Sequence, residues 1–91
     1  MPEEDCRIEV KRISPHSFGV LLYRNDRDVS LLDVVEATAI DGDGHFSLFV
    51  RGNKEPFETI PMSDRGDLSL RLYNKSKAIA AERLKQNYYC Y

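Results

Sequence analysis

The sequence predicts an α+β fold in which an antiparallel meander sheet of four or five strands carries one C-terminal amphipathic helix on a face. Three observations lead to this prediction. Apolar and charged residues alternate with a period of two in several stretches of residues 6–62, which indicates half-buried strands. Short segments rich in Gly, Pro, Asn, Asp and Ser separate these stretches, as they do in hairpins. The C-terminal third has strong helix formers, with apolar residues at helical spacing.

The length of the chain limits it to one domain. Its 91 residues, 42% hydrophobic and 31% charged, have the composition of an ordinary globular protein. We expect a disordered acidic N-terminus over residues 1–5 and a β-rich region over residues 6–62. A helical region over residues 63–88 and a tail over residues 89–91 complete the expected division.

The first two strands are expected to form a hairpin. Apolar and charged residues nearly alternate over residues 6–13, which predicts the first strand. Pro15 breaks this strand, because proline fixes φ and removes a hydrogen-bond donor. The apolar run over residues 18–24 predicts the second strand.

The next segment carries two conflicting signals. The stretch from Ser30 to Asp33 matches the Ser-x-x-Asp pattern that caps helix N-termini. Residues 34–40, in contrast, are rich in β-branched side chains, which favour strands. We predict at most one helical turn over residues 30–33, followed by a third strand.

Residues 41–44, Asp-Gly-Asp-Gly, raise the question of a calcium site. An EF-hand loop that began at Asp41 would need Gly at its sixth position and Glu at its twelfth. The chain has Phe46 and Gly52 at those positions. Asp-Gly pairs between strands are typical of tight hairpin turns, because glycine accepts positive φ. The segment is therefore predicted to be a turn that leads into a fourth strand over residues 45–51.

A short edge strand over residues 57–60, ended by Pro61, and then the main helix complete the predicted fold. Residues 78–86 are strong helix formers without a breaker. We predict one long helix beyond Ser63, although residues 68–73 alternate strictly enough to form a last strand instead. The predicted buried face comprises two stripes, Leu68, Leu72 and Ile79 in one and Tyr73, Ala80 and Leu84 in the other. The predicted solvent side comprises Arg71, Asn74, Lys75, Glu82 and Lys85.

Cysteine usage and hydropathy predict the compartment. Cys6 and Cys90 lie near opposite ends of the chain. Residues 1–5 are acidic where a secretory signal needs positive charge before an apolar run. No apolar stretch approaches the ~20 residues that span a bilayer. We therefore expect a cytoplasmic protein with reduced thiols and no membrane partner.

The predicted topology brings one group of chemically active side chains together. The turns after the first and third strands lie at the same end of a meander, so we expect His16 near Asp41, Asp43 and His45. Such a group is able to bind a divalent metal or to act as acid and base. Neither a metal-ligand spacing motif nor a nucleophile accompanies it. Polar turn residues are thus the preferred interpretation, and we predict no catalytic residue, metal or cofactor.

Charge is distributed unevenly along the chain. Residues 1–62 contain seven Lys/Arg and twelve Asp/Glu, whereas residues 63–91 contain six and three. Basic and aromatic residues mix near the C-terminus, where tyrosines suit protein interfaces or stacking on nucleic-acid bases. The predicted partner-binding residues are Lys75, Arg83, Lys85, Tyr88, Tyr89 and Tyr91.

Three classes of function stay open after the sequence analysis. The favoured one is a small, non-enzymatic protein-binding module, such as a regulator, inhibitor or accessory subunit, that acts by surface occlusion. A phage or mobile-element protein that antagonises a host system would be a special case. The alternative is nucleic-acid binding through the basic helix and the tyrosines. The third class is a small-ligand binder or enzyme that uses the His16/His45 end of the sheet. We expect the chain to bind a partner protein, and the sequence leaves undecided whether it also forms a homodimer.

Overall fold

A computed structural model of the chain describes residues 6–24, 28–39 and 44–86. Five strands form one antiparallel sheet with the order β1-β2-β3-β4-β5, and a single α-helix packs on one face of it. The predicted α+β meander is therefore confirmed, with five strands rather than four. The elements are β1 (Cys6–Ser14), β2 (Ser17–Arg24), β3 (Asp28–Ala39), β4 (His45–Val50), β5 (Glu58–Pro61), a 3₁₀ helix (Met62–Asp67) and α1 (Leu68–Gln86).

The prediction of a helical turn over residues 30–33 is wrong, because the whole segment lies within β3. Leu31 pairs with Leu21 and Asp33 with Val20, and the register shifts between these two pairs. The shift accommodates Leu32 as an extra residue in β3, as a β-bulge does. Pairing with β2 therefore stabilises this segment more than a helix cap would, because a helical turn here would remove backbone hydrogen bonds between β2 and β3.

Two turns flank β4. The predicted Asp-Gly turn lies outside the described residues except for Gly44, which has a φ of 71°. Gly52, in the turn after β4, has a φ of 100°. Glycine adopts such positive φ values at little cost because it has no Cβ.

The main core lies between α1 and the sheet face that it covers. Strand alternation directs every second side chain of each strand toward α1. Full burial of a large aliphatic side chain stabilises a fold by about 1.5–3 kcal/mol, so this layer is the principal source of stability. Its buried side chains are Phe18, Val20, Leu22, Val35, Phe46, Leu48, Ile60, Leu68 and Leu72.

The single long helix is confirmed, and its most buried stripe repeats every four residues. Leu68, Leu72, Ser76 and Ala80 are all buried. Ser76 was not expected in the core. Its Oγ donates a 2.8 Å hydrogen bond to the carbonyl oxygen of Leu72, which satisfies the hydroxyl inside the apolar layer.

The predicted rotation of α1 about its own axis is partly wrong. Leu84, predicted to be buried, is 54% exposed, and Tyr73 is 39% exposed. Arg71 and Lys75, predicted to face solvent, are half-buried. The reason is that Leu84 lies beside Ile8 of the edge strand β1, beyond which the described sheet has no further strand.

Within the described ranges, no helix combines the length and apolar content that crossing a bilayer requires.

Candidate functional site

The side of the sheet opposite α1 is covered by no other element of the described ranges, and we call it the helix-free face. Phe18, Val20 and Leu22 point toward α1, so the alternate residues Gly19, Leu21 and Tyr23 belong to the helix-free face. Their partners on β3 share this face, because residues directly opposite in an antiparallel pair lie on the same side. These partners are Val34 opposite Gly19, Leu31 opposite Leu21 and Val29 opposite Tyr23.

Three aliphatic side chains of the helix-free face, Ile13, Val29 and Leu31, form what we call the aliphatic patch. They are 53%, 49% and 52% exposed, respectively. Ile13 and Leu31 meet above Gly19, where an added Cβ would lie 2.6 Å and 3.1 Å from their Cδ1 atoms. Val34 beneath them is only 3% exposed. Isolated exposed aliphatic residues are ordinary, whereas large contiguous apolar patches are typical of interaction sites.

Paired charges border the aliphatic patch on the β1 side. Arg7 Nε donates a 2.6 Å hydrogen bond to Glu9 Oε2, and Lys11 Nζ lies 3.9 Å from Glu9 Oε1. Both cations also lie over the Tyr23 ring, 4.6 Å and 5.4 Å from its centroid. The pKa of Lys11 is raised, first by its hydrogen bond to Tyr23 and then by the charges of Tyr23 and Glu9. Like other lysines, Lys11 is positively charged near neutral pH.

A second charged pair borders the helix-free face on the β4 side. Arg51 donates hydrogen bonds of 3.1 Å and 3.4 Å to the two carboxylate oxygens of Glu36. Hydrogen bonding to Glu36, followed by its negative charge, raises the pKa of Arg51. The face thus has an apolar centre and a charged border, the arrangement typical of protein–protein interfaces.

The residues predicted to bind a partner are only partly described. Tyr88, Tyr89 and Tyr91 lie outside the described residues. Lys75 and Arg83 line one groove of about 360 Å³ beside Val50, and Lys85 is exposed near the end of α1. Partner binding through these residues stays a prediction.

Several basic side chains of α1 already contact groups within the chain. Lys75 lies 5.0 Å from the centroid of the Phe57 ring, and Lys77 lies 5.5 Å from that of Tyr73. Arg83 donates hydrogen bonds of 2.9 Å and 3.1 Å to the Asp33 carboxylate. Arg71 forms an ion pair with Glu58. The two ion pairs offset part of the positive charge that the helix offers to a phosphate, whereas Lys75 and Lys77 keep their full charge beside neutral rings.

The predicted His/Asp group is described only at its histidines. The centroid of the exposed His16 ring lies 5.9 Å from that of Phe46, the residue after the exposed His45. Asp41 and Asp43 lie outside the described residues. Elsewhere in the described ranges, no three His, Cys, Asp or Glu side chains approach closely enough to hold a metal ion.

The sequence analysis missed the aliphatic patch, although β2 carries a signal for it. Phe18, Val20 and Leu22 alternate with Gly19 and Leu21, so residues 18–22 of the strand are uncharged on both faces. A strand that is apolar on both faces indicates burial on two sides, whereas one helix covers only one side.

Comparisons with known protein families, curated proteins and solved structures find no match to this chain.

Proposed function

We propose that this chain is a non-enzymatic protein-binding module, a regulator, inhibitor or accessory subunit, that acts by covering the surface of a partner protein. The helix-free face is the covering surface in this proposal. The observation that carries it is the aliphatic patch, whose three half-exposed side chains lie between two groups of paired charges.

The physical properties of the helix-free face suit a contact that forms without rearrangement. Complete burial of an aliphatic side chain is worth about 1.5–3 kcal/mol, so burying the exposed half contributes on the order of 1 kcal/mol per residue. The aliphatic patch lies on hydrogen-bonded strands. Because their backbone is already rigid, it loses little conformational entropy when a partner binds. Leu21, Tyr23 and Phe49 extend the same face, each half-buried. The bordering charges would mainly orient the partner and speed its approach.

A cytoplasmic location belongs to the same proposal. Two cysteines in 91 residues are fewer than small secreted domains use, because those domains rely on several disulfides for stability. A phage or mobile-element protein that occludes a host protein would be one instance of this function.

The proposed function is tested by affinity capture from the native host with matched surface variants. We expect the wild-type chain to retain a partner and Leu31→Lys to lose it, because a lysine would be desolvated at the centre of the contact. Leu70→Lys is the control, since Leu70 is 57% exposed but lies on the outer side of α1. With the purified partner, Leu31→Lys should weaken binding at least about tenfold, or 1.4 kcal/mol. Equal binding by both variants, each shown to be folded by thermal unfolding, would contradict the proposal.

Nucleic-acid binding, the alternative predicted from the sequence, gives a different expected result. Because Arg71 and Arg83 are paired with carboxylates and the net charge of the chain is −2, we expect no complex with DNA or RNA tighter than about 10 μM at physiological salt. Fluorescence anisotropy with labelled duplexes and single strands, at about 50 and 200 mM salt, measures this. The control variant replaces Lys75, Lys77 and Lys85 with Gln and leaves the Arg83–Asp33 pair intact. A submicromolar, salt-sensitive complex that this variant loses would establish the alternative.

A further inference from the structure

The two edges of the sheet differ in their capacity to accept another strand. The edge strand β5 has only four residues and includes Pro61, which has no backbone N–H to donate. The other edge strand, β1, has nine residues and no proline. Short edge strands and prolines prevent edge-to-edge pairing, whereas a long edge strand offers a row of backbone donors and acceptors. The described sheet is therefore open to pairing at β1.

An apolar groove of about 310 Å³ runs beside this open edge. Ile8 and Val10 of β1 form its floor, and Tyr73, Ala80 and Leu84 of α1 form its wall. Leu84 is 54% exposed and Tyr73 is 39% exposed. The described chain closes this groove only on the α1 side, so a neighbour beyond β1 would bury its side chains.

The charges of β1 suit a second copy of the same strand in one register. In an antiparallel pair, residues that face each other lie on the same side of the sheet. The two-fold axis of two identical strands therefore passes through a residue position, and moving it by one residue shifts the register by two residues. A two-fold axis at Val10 places Glu9 opposite the partner's Lys11, and Lys11 opposite the partner's Glu9. An axis at Glu9 places Glu9 opposite Glu9 and Arg7 opposite Lys11, and an axis at Lys11 places two lysines together. Like charges directly opposite each other destabilise a pair, so the charges exclude the axes at Glu9 and Lys11 and favour the axis at Val10. An axis at Ile8 would also face opposite charges, Arg7 with Glu9, but it would pair only residues 6–10 of β1.

The axis at Val10 also gives the longest overlap, because Val10 is the middle residue of Cys6–Ser14. The register shift between Arg12 and Ser14 lies at the ends of this overlap. A two-fold axis perpendicular to the sheet keeps both α1 helices on one side. The two β2 strands would then stand three strand spacings, or roughly 14 Å, apart. Tyr73 and Leu84 from each copy would meet in that space and turn two open grooves into one apolar layer.

From this geometry we infer that the chain forms a homodimer by antiparallel pairing of β1 with β1, about a two-fold axis at Val10. The occupant of the groove is thus the second copy. The inference does not depend on the proposed function, because the contact is made by the backbone edge of β1 and by the groove on the α1 side, although Glu9 and Lys11 also border the aliphatic patch.

A charge-exchange experiment on the full chain tests the dimer and its register together. Sedimentation velocity should show wild-type protein at twice the 10.5 kDa of one chain. Glu9→Lys makes both side chains of each facing pair positive, and Lys11→Glu makes both of them negative. The dimer of each single variant should therefore have a dissociation constant at least about tenfold higher than that of the wild type. An equimolar mixture of the two variants should dimerise again, because every facing pair then has opposite signs.

Control variants separate this result from a loss of folding. Lys54→Glu changes an exposed charge in the loop after β4 and should leave the dimer intact. Both β1 variants should still unfold in one cooperative transition, with a midpoint below that of the wild type because they lack the stabilisation that dimerisation supplies. A wild-type monomer at all accessible concentrations would overturn the inference. So would a dimer that neither single variant weakens, or a mixture of the two that stays monomeric.

Discussion

Leu72→Ala is expected to lower the free energy of unfolding by about 2–5 kcal/mol, the range for truncating a buried leucine. Leu72 is fully buried and packs in the core cluster with Phe18, Leu48 and Leu68. Removing its side chain leaves a cavity between α1 and the sheet, because the strands beneath are fixed by their pairing. Chemical denaturation at matched protein concentration measures the loss.

Leu84→Ala is the matched control on the same helix. Leu84 is 54% exposed in the single chain, so at a protein concentration low enough to keep the chain monomeric its truncation should cost less than about 1 kcal/mol. The sequence pattern places Leu84 on the buried face, where its truncation would cost as much as that of Leu72. Equal losses at Leu72 and Leu84 would show that α1 is rotated toward the position that the sequence predicted.

Asp33→Ala is expected to lower the free energy of unfolding by about 1.5–3 kcal/mol, the range for hydrogen bonds to charged groups. The Asp33 side chain is 13% exposed and accepts hydrogen bonds of 2.9 Å and 3.1 Å from Arg83, which is 28% exposed. Charge-assisted hydrogen bonds of this kind are stronger than neutral ones, and the substitution deprives a largely buried guanidinium of this carboxylate. The same denaturation measurement applies, and the loss reflects a weaker attachment of the end of α1 to β3.

Glu36→Ala provides the comparison, because Glu36 lies on the same strand and also accepts two hydrogen bonds from an arginine. Its partner Arg51 is 62% exposed, so water and salt screen the pair. Exposed pairs of this kind contribute about 0.2–1 kcal/mol. If Glu36→Ala cost as much as Asp33→Ala, burial would not be the source of the difference.

The proposed dimer has a consequence for the proposed function. A two-fold axis perpendicular to the sheet would place both aliphatic patches on the same side of the assembly. A partner with two binding surfaces, or a symmetric partner, would then meet two patches at once, and linked contacts raise the effective concentration of the second. Loss of the dimer would then weaken capture of such a partner, whereas a partner that uses one patch would be retained.

Local patterns were sufficient to predict most of the elements. Alternation over residues 6–13 predicted β1, which spans Cys6–Ser14, and the run over residues 18–24 predicted β2, which spans Ser17–Arg24. The long helix was preferred over a last strand at residues 68–73, and α1 begins at Leu68. These predictions depend on side-chain periodicity and on proline and glycine positions, which are properties of neighbouring residues in the chain.

The tertiary structure alone decided which surfaces stay open, because covering a residue requires elements that are distant in sequence. Pairing with β2 made residues 30–33 a strand despite their capping pattern. The position of α1 relative to the β1 edge left Leu84 exposed, whereas its packing on the sheet buried Ser76. The aliphatic patch exists because Ile13, from β1, and Leu31, from β3, meet above the bare backbone of Gly19. The sequence by itself determined which residues are apolar, and the arrangement of the sheet and its one helix determined which of them remain available to a partner.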